Sequence, residues 1–394
     1  MFPDFNLYSS TLLFLSLQGL LFALLLFKRY FKTKSNTDLL LALILAITFY
    51  DQVSYCLGFL GWYDTYRFTK VNYFFINVHI LLAPLIFLYV RLISKPHVSF
   101  SKKDLVHFIP FFLLLVLKAW IYISDGSAAD FSSLQNGELV KNFQWTFLDP
   151  LVFITTVIQM SVYMFLSFSM LKEFREKIRQ YFSNSYNLEL NWLHAFTIIY
   201  SILFLYHIAE RLVNNFFADL HWTQEWYYYL LSGIALIYMG IKGYFIDLTE
   251  LKNVDVQSFI EETSSTYVDS ANAPQTTDPE KVVVMDRIES YMVAEKPYLD
   301  PKLTLVTLAR ELRMTREQLS HIINTGFGRK FNTYVNQYRI EEFKSLISEN
   351  KNKELSILGL AYECGFNSKA TFNRAFRNEV HMSPSNYINT TENQ

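Results

Sequence analysis

The 394-residue chain has no glycine-rich loop to cradle a phosphate, no nucleotide-binding signature of a histidine kinase and no alternating αβ receiver pattern. No nucleophile, base and acid stand together as a catalytic set, so no enzyme activity and no cofactor is expected. Its two cysteines, Cys56 and Cys364, are too few for a disulfide framework and lie in parts of the chain of very different character. Charge is also sparse, with 18% Asp, Glu, Lys and Arg and a net charge of -1. What replaces it is apolar and aromatic: 51% of residues are hydrophobic, including 36 Phe and 26 Tyr.

The apolar residues are concentrated in the first 247 positions, in seven stretches: about Leu7 to Phe27, Asp38 to Leu60, Asn72 to Ile93, Leu105 to Ser124, Asp149 to Leu171, Trp192 to Phe217 and Trp226 to Asp247. Each has about 20 residues, enough for a helix to cross a hydrocarbon core of roughly 30 Å. Seven membrane spans are therefore expected over residues 1–247. The first is read as a span and not as a cleaved signal peptide, because Lys28 and Arg29 follow it and no basic region precedes it. Loops one, three and five hold eleven basic residues, from Lys28 to Arg179, against three in the other loops, Arg67, Lys70 and Lys141. The positive-inside rule then puts the N-terminus outside and the C-terminus in the cytoplasm, in a multi-pass protein of the bacterial inner membrane.

Ionisable side chains within the spans are costly in hydrocarbon and normally face protein or water. In the deduced topology Asp51, His79, Lys118, His207, Glu210 and Arg211 all fall in the outer half of their spans. They are expected to border an outward-open pocket for a polar or charged small molecule, against the plainer alternative of internal pairing and snorkelling. His207 and Glu210 share a helix face, but spacing alone does not supply the convergent geometry of a metal site, and none is expected. Lys242 lies near the cytoplasmic end, where snorkelling accounts for it.

The last part of the chain reads differently. LARELRMTREQLSHII, from Leu308 to Ile323, is echoed by LAYECGFNSKATFNRAF, from Leu360 to Phe376. Each copy has a Leu-Ala pair where a second helix can cross closely, then a turn, then a helix opening on a hydroxyl cap. The caps are Thr315 and Ser368, and Thr315 with Gln318 forms a capping box. Apolar residues follow at helical spacing, Leu319, Ile322 and Ile323 in one copy and Phe372, Ala375 and Phe376 in the other. The copies are offset by 52 residues at the Ala pair and 53 at the caps, which gives the second one extra turn residue.

These two units, with Gly328, Phe331, the connecting sequence YVNQYRIEEFKSLI and the closing SPSNY at Ser383 to Tyr387, resemble the DNA-binding module of the AraC/XylS family of transcription regulators from about Tyr298 to Ile388. The resemblance implies an all-helical tandem helix-turn-helix, with units at about 304–324 and 356–377, held by a long helix near Asn332 to Ser348. It implies double-stranded DNA as partner, read by polar groups around the two second helices: Arg316, Gln318, Ser320, His321 and Asn324, then Asn367, Ser368, Lys369, Thr371, Asn373 and Arg374. Two departures stand out. His381 occupies a turn position where glycine is usual, and Gly359 should weaken its helix by about 1 kcal/mol relative to Ala. From Lys281 onward there are 16 basic against 13 acidic residues, so nonspecific affinity should be modest and salt-dependent.

The expected fold is thus all-α: a seven-helix transmembrane domain (1–247), a juxtamembrane segment and linker (248–280) and a DNA-binding domain (281–394). Glu262 to Pro279, rich in Ser, Thr, Asp, Asn and Pro, reads as a flexible coil spanning about 24 Å r.m.s.. Val282, Val283, Met285, Ile288 and Met292 recur at roughly helical spacing, suited to packing on the DNA module or to pairing in a homodimer. The expected function is one-component signalling, with sensor and DNA reader in one chain. A transporter-like or enzymatic membrane domain with a regulatory tail, and a membrane domain that only anchors, are the alternatives.

Overall fold

The computed structural model describes residues 3–62, 78–95, 98–127, 137–183, 190–217, 221–245, 278–351 and 354–392. The start of the expected third span, 72–77, the juxtamembrane segment 248–261 and most of the expected linker, 262–277, lie outside these. The described residues are helical, with no strand among them. They form two compact units: Met1–Leu171 with Trp192–Leu248, and Lys172–Asn191 with Thr249–Gln394.

The first unit contains α1 (Leu7–Thr33), α2 (Asn36–Phe59), α3 (Leu82–Ser94), α4 (Ile109–Gly126), the larger part of α5 (Asp149–Tyr181), α6 (Asn191–Phe216) from Trp192 on, and α7 (Trp226–Phe245). Five helices are long and apolar enough to cross a membrane: Leu7–Thr33, Asn36–Phe59, Lys102–Gly126, Val140–Tyr181 and Asn191–Asn214. The expected third span is described as the shorter apolar helix Val78–Ser94. The expected seventh is the 20-residue α7, whose opening Trp and three Tyr make it less apolar than the five.

Side-chain placement in this unit inverts the rule for proteins in water. On α1, Leu12, Leu15, Ala23 and Leu26 are buried while Phe14, Leu17, Leu21 and Leu24 are exposed. On α5, Leu151, Ile154, Ile158, Val162 and Phe165 form an exposed apolar stripe at helical spacing. Such continuous apolar surface suits contact with lipid. Helices surrounded by lipid gain little from hiding one leucine behind another, so close approach must hold them. α1 and α7 achieve it with glycine: a Cβ on Gly19 would overlap Leu236, and one on Gly240 would overlap the Phe22 ring.

At one end of the unit Arg29 clasps three helices. Its guanidinium forms a two-pronged pair with Asp38, at 2.6 and 2.8 Å, and donates to the carbonyls of Tyr244, at 2.5 Å, and Gly243, at 3.3 Å. A cation thus meets the carbonyls at the end of α7, where the helix dipole is negative. Asp125 plays the opposite part near α5. Its carboxylate accepts from the backbone N–H groups of Leu139, at 3.0 Å, and Val140, at 3.2 Å, where a π-helical stretch, Val140–Leu148, leads into α5.

The second unit contains the last turns of α5 with the residues after them, then α8 (Asp278–Glu295), α9 (Leu305–Glu311), α10 (Arg316–Thr325), α11 (Phe331–Ser348), α12 (Ile357–Glu363), α13 (Lys369–Val380) and α14 (Pro384–Glu392). α11 serves two cores. Phe331, Tyr334 and Val335 join Leu308, Leu319, Ile322 and Ile323; Ile340, Phe343 and Ile347 join Leu360, Phe366, Phe372 and Phe376. α8 adds Ile288 and Met292 to the first core, which answers the expectation for that helix in favour of packing. Val282 and Val283 lie off that face, exposed.

The α1–α7 contact is testable by overpacking. Gly19→Leu is expected to cost about 1–3 kcal/mol and lower the thermal midpoint in detergent by several degrees, while Leu21→Ala, on the exposed stripe, should leave it nearly unchanged.

Candidate nucleic-acid interface

Each helix-turn-helix is built by the same local chemistry. In the first, Thr315 Oγ1 accepts from the Gln318 N–H at 3.2 Å and Gln318 Oε1 accepts from the Thr315 N–H at 3.0 Å, satisfying donors that the first helical turn leaves open. In the second, Ser368 Oγ accepts from the Thr371 N–H at 3.1 Å. Both turns reverse through a left-handed residue, Arg313 (φ 53°) and Gly365 (φ 85°). Both are closed by matching backbone bonds, Met314 N–H to the Ala309 carbonyl at 2.9 Å and Phe366 N–H to the Ala361 carbonyl at 3.1 Å. The extra residue of the second turn is Asn367. Only the second turn requires glycine, since a Cβ on Gly365 would run into the carbonyls of Tyr298 and Leu299.

The two helix-turn-helices are locked together around Arg339, which is wholly buried in α11. Its Nε donates to the Tyr298 carbonyl at 2.6 Å, and its Nη2 donates to the Asp300 carbonyl at 2.8 Å and to Ser183 Oγ at 3.2 Å. Its Nη1 reaches Asn336 Oδ1 at 3.4 Å, and the guanidinium lies 5.6 Å from the Phe366 ring centroid. Burial pulls its pKa down to about 9, against the pull of Asp300, which favours the charged form. Arg329 and Glu379, 2.9 Å apart, add a second tie between the end of the first unit and α13.

The expected DNA-reading groups are placed unequally. His321 and Asn324 on α10, and Asn367 and Lys369 at the start of α13, are exposed; Ser320, Asn373 and Arg374 are partly so. Gln318 and Ser368 are occupied as caps. Thr371, expected among the outward groups, is 1% exposed, and its hydroxyl lies 2.8 Å from Ser368 Oγ. It braces the cap and does not face outward. Arg316 is also withdrawn: its side chain is 10% exposed, it pairs with Glu317 at 2.6 Å, and its guanidinium lies 5.5 Å from the Tyr181 ring centroid. Burial would raise the Glu317 carboxyl, but its own backbone N–H and Arg316 outweigh that and hold it below the ordinary range.

Beside α13 a cleft of about 470 Å³ is lined by Ser356, Lys369, Asn373, Arg377, Ser383 and Ser385 among others. Cations and hydroxyls in a groove of this kind suit phosphate oxygens. Sequence reasoning did not pick out Arg377, which its position two turns beyond Lys369 on the same helix would have suggested.

The ionisable residues of the first unit are only partly gathered. His79 Nδ1 lies 3.0 Å from Asp51 Oδ2, the His79 and His207 rings are 6.1 Å apart, and His207 Nδ1 is 4.0 Å from Glu210 Oε2. Asp51 and His79 line a cavity of about 20 Å³ with Thr48, Tyr200, Tyr228 and Ser232. That is room for water. Lys118, His207, Glu210 and Arg211 do not line it; Lys118 is buried at 8% exposure in α4. Among the described residues no group of three His, Cys, Asp or Glu is placed to hold a metal.

Two substitutions test the backbone reading. Gly359→Ala places a methyl group at ordinary van der Waals distance from Ser356 and Leu355 and should stabilise α12 by about 1 kcal/mol. His381 ends α13 in the left-handed conformation (φ 59°), and His381→Gly should stabilise by a similar amount, about 1 kcal/mol. Pulse proteolysis in urea, read on C-terminal fragments, measures both.

A family model described as a helix-turn-helix domain matches residues 308–390. Over 111 residues the chain is 29% identical to an uncharacterised HTH-type transcriptional regulator, YijO, of Escherichia coli (strain K12), a match covering 27% of this chain and 38% of that protein. No solved structure matches. The C-terminal part of this chain is a helix-turn-helix domain of the AraC type, carried behind helices long and apolar enough to span a membrane.

Proposed function

We propose that the protein is a membrane-anchored, sequence-specific transcription regulator whose membrane domain senses a signal and alters DNA binding. The observation that carries the DNA reading is the pair of capped helices, α10 and α13, fixed at one relation by Arg339 and each presenting amides, a cation or an imidazole outward. Asn324, Asn367 and Asn373 have the chemistry for adenine, while Lys369 and Arg377 suit phosphates. Ser320, His321 and Arg374 complete the outward set.

A cytoplasmic position for this domain is supported by loop charge together with the grouping of the chain. Loop charge puts the loop after the fifth span inside, and that loop, Lys172–Asn191, belongs to the same compact unit as the helix-turn-helix. The anchor is the set of apolar helices with lipid-suited faces. Sensing rests on the outer-half group of Asp51, His79, His207 and Glu210, with Lys118 and Arg211 nearby in sequence register. A polar small molecule or a change in hydration there would bias the helix packing. A homodimer would place two readers on adjacent DNA segments.

Genome-wide DNA binding by the intact protein in its native cell is expected to give discrete enriched sites. Asn373→Ala should lose a base contact worth about 1–3 kcal/mol and deplete a subset of sites, while Lys369→Ala should weaken all sites and lower the salt slope by about one. No enrichment by the intact protein would overturn the DNA reading. For the sensor, Glu210→Gln should change target transcript levels under at least one external condition that moves them in the unaltered strain. Identical responses in every such condition leave the membrane domain as an anchor only.

A further inference from the structure

The strongest unexplained feature is the Lys172–Ser183 segment, which sits on the first helix-turn-helix within the second unit. Phe182, itself buried, forms an antiparallel bridge with Thr304, the residue that caps α9. The Ser183 N–H donates to the Leu303 carbonyl at 3.3 Å and its hydroxyl donates to the same oxygen at 2.7 Å, while Arg339 donates to that hydroxyl. Glu176 pairs with Lys330, the residue that precedes α11. Tyr181 covers the guanidinium of Arg316 at the first turn of α10.

These contacts draw on groups a DNA reader would otherwise present. Arg316 opens a helix whose N-terminus favours anions and whose first turn meets the duplex in modules of this build. A phosphate or base edge cannot reach a guanidinium that is held between a tyrosine ring and Glu317. Lys330, a second cation just before α11, is paired with Glu176. The segment therefore covers one cation and pairs another in a domain whose positive excess is small, and it is seated by backbone bonds and a buried hydroxyl as well as by surface charge.

We propose that Lys172–Ser183 is an intramolecular competitor of DNA, seated on the first helix-turn-helix through Tyr181, Phe182 and Ser183, and that its departure frees Arg316 and Lys330 for the duplex. The inference rests on α10 facing DNA. It supplies the step by which a membrane segment would control that reader, because the competitor is itself the last turns of α5 and the residues after them.

A reversible lock tests it. Phe182→Cys with Thr304→Cys puts two thiols on facing residues of an antiparallel bridge, a geometry that a disulfide can close. The native Cys56 and Cys364 are both buried, and burial pushes the Cys364 thiol up to about 12, so it stays protonated during mild oxidation. The full chain in detergent is titrated at low salt with a random-sequence 40-base-pair duplex. The oxidised form should bind at least tenfold more weakly than the same preparation after reduction, and duplex added beforehand should slow cross-linking. Tyr181→Ala in the otherwise unaltered chain should bind severalfold more tightly. Equal affinity of oxidised and reduced forms, or failure to cross-link, overturns the competitor. Absence of binding by both forms and by Tyr181→Ala would instead sink the DNA reading beneath it.

Discussion

A guanidinium without water is the constraint around which the C-terminal domain is arranged. Removing a charge from water costs several kcal/mol unless polar groups replace the hydration, and Arg339 has no carboxylate within ion-pair distance among the described residues. Carbonyls of Tyr298 and Asp300, the Ser183 hydroxyl and the Phe366 ring take that role. They come from three different parts of the unit. Solvating one side chain therefore fixes the entry to the first helix-turn-helix, the turn of the second and the segment after α5. Gly365 follows from the same demand, since the Tyr298 strand of backbone that serves Arg339 passes too close for a Cβ.

The two units are held by different forces. In the helix-turn-helix domain the aromatic cluster of Phe343, Phe366, Phe372 and Phe376 is buried away from water, with rings 4.8 to 5.7 Å apart, and hydrophobic transfer does most of the stabilising. In the apolar unit equally hydrophobic side chains lie outside, and adhesion falls to close backbone approach at Gly19 and Gly240 and to the polar clasp of Arg29. Loss of a methylene in the first setting and gain of one in the second are the damaging changes.

Local chemistry was legible in the sequence; long-range satisfaction was not. Thr315, Gln318 and Ser368 could be read as caps because a cap and its partner are three residues apart. The two cores could be read from helical spacing, and His381 as a side chain forced into a glycine conformation. Thr371 was misjudged as outward because its burial depends on how α13 rolls against Phe343, which period alone fixes only to within a residue. Arg339 carried a visible signal that went unused: Phe331, Val335, Arg339, Phe343 and Ile347 recur every four residues, and a cation in such a stripe must be buried. The role of Tyr181 to Ser183 had no such mark, since its partners are more than a hundred residues away. Of the seven expected spans, the third is described only from Val78 on and the seventh is diluted by its tyrosines, so length and apolarity single out five.

The Lys172–Ser183 segment is tied by covalent bonds at both ends to its own chain. A ligand tethered in this way meets its receptor at an effective concentration on the order of 1 mM, whatever the amount of protein in the cell. Against that fixed local supply even a weak intrinsic affinity, about 0.2 mM, keeps the surface roughly 80% occupied. An equilibrium so near balance is where a small bias changes occupancy most. A fraction of a turn at the end of α5 would then count for as much as a strong ligand would in a system held far to one side.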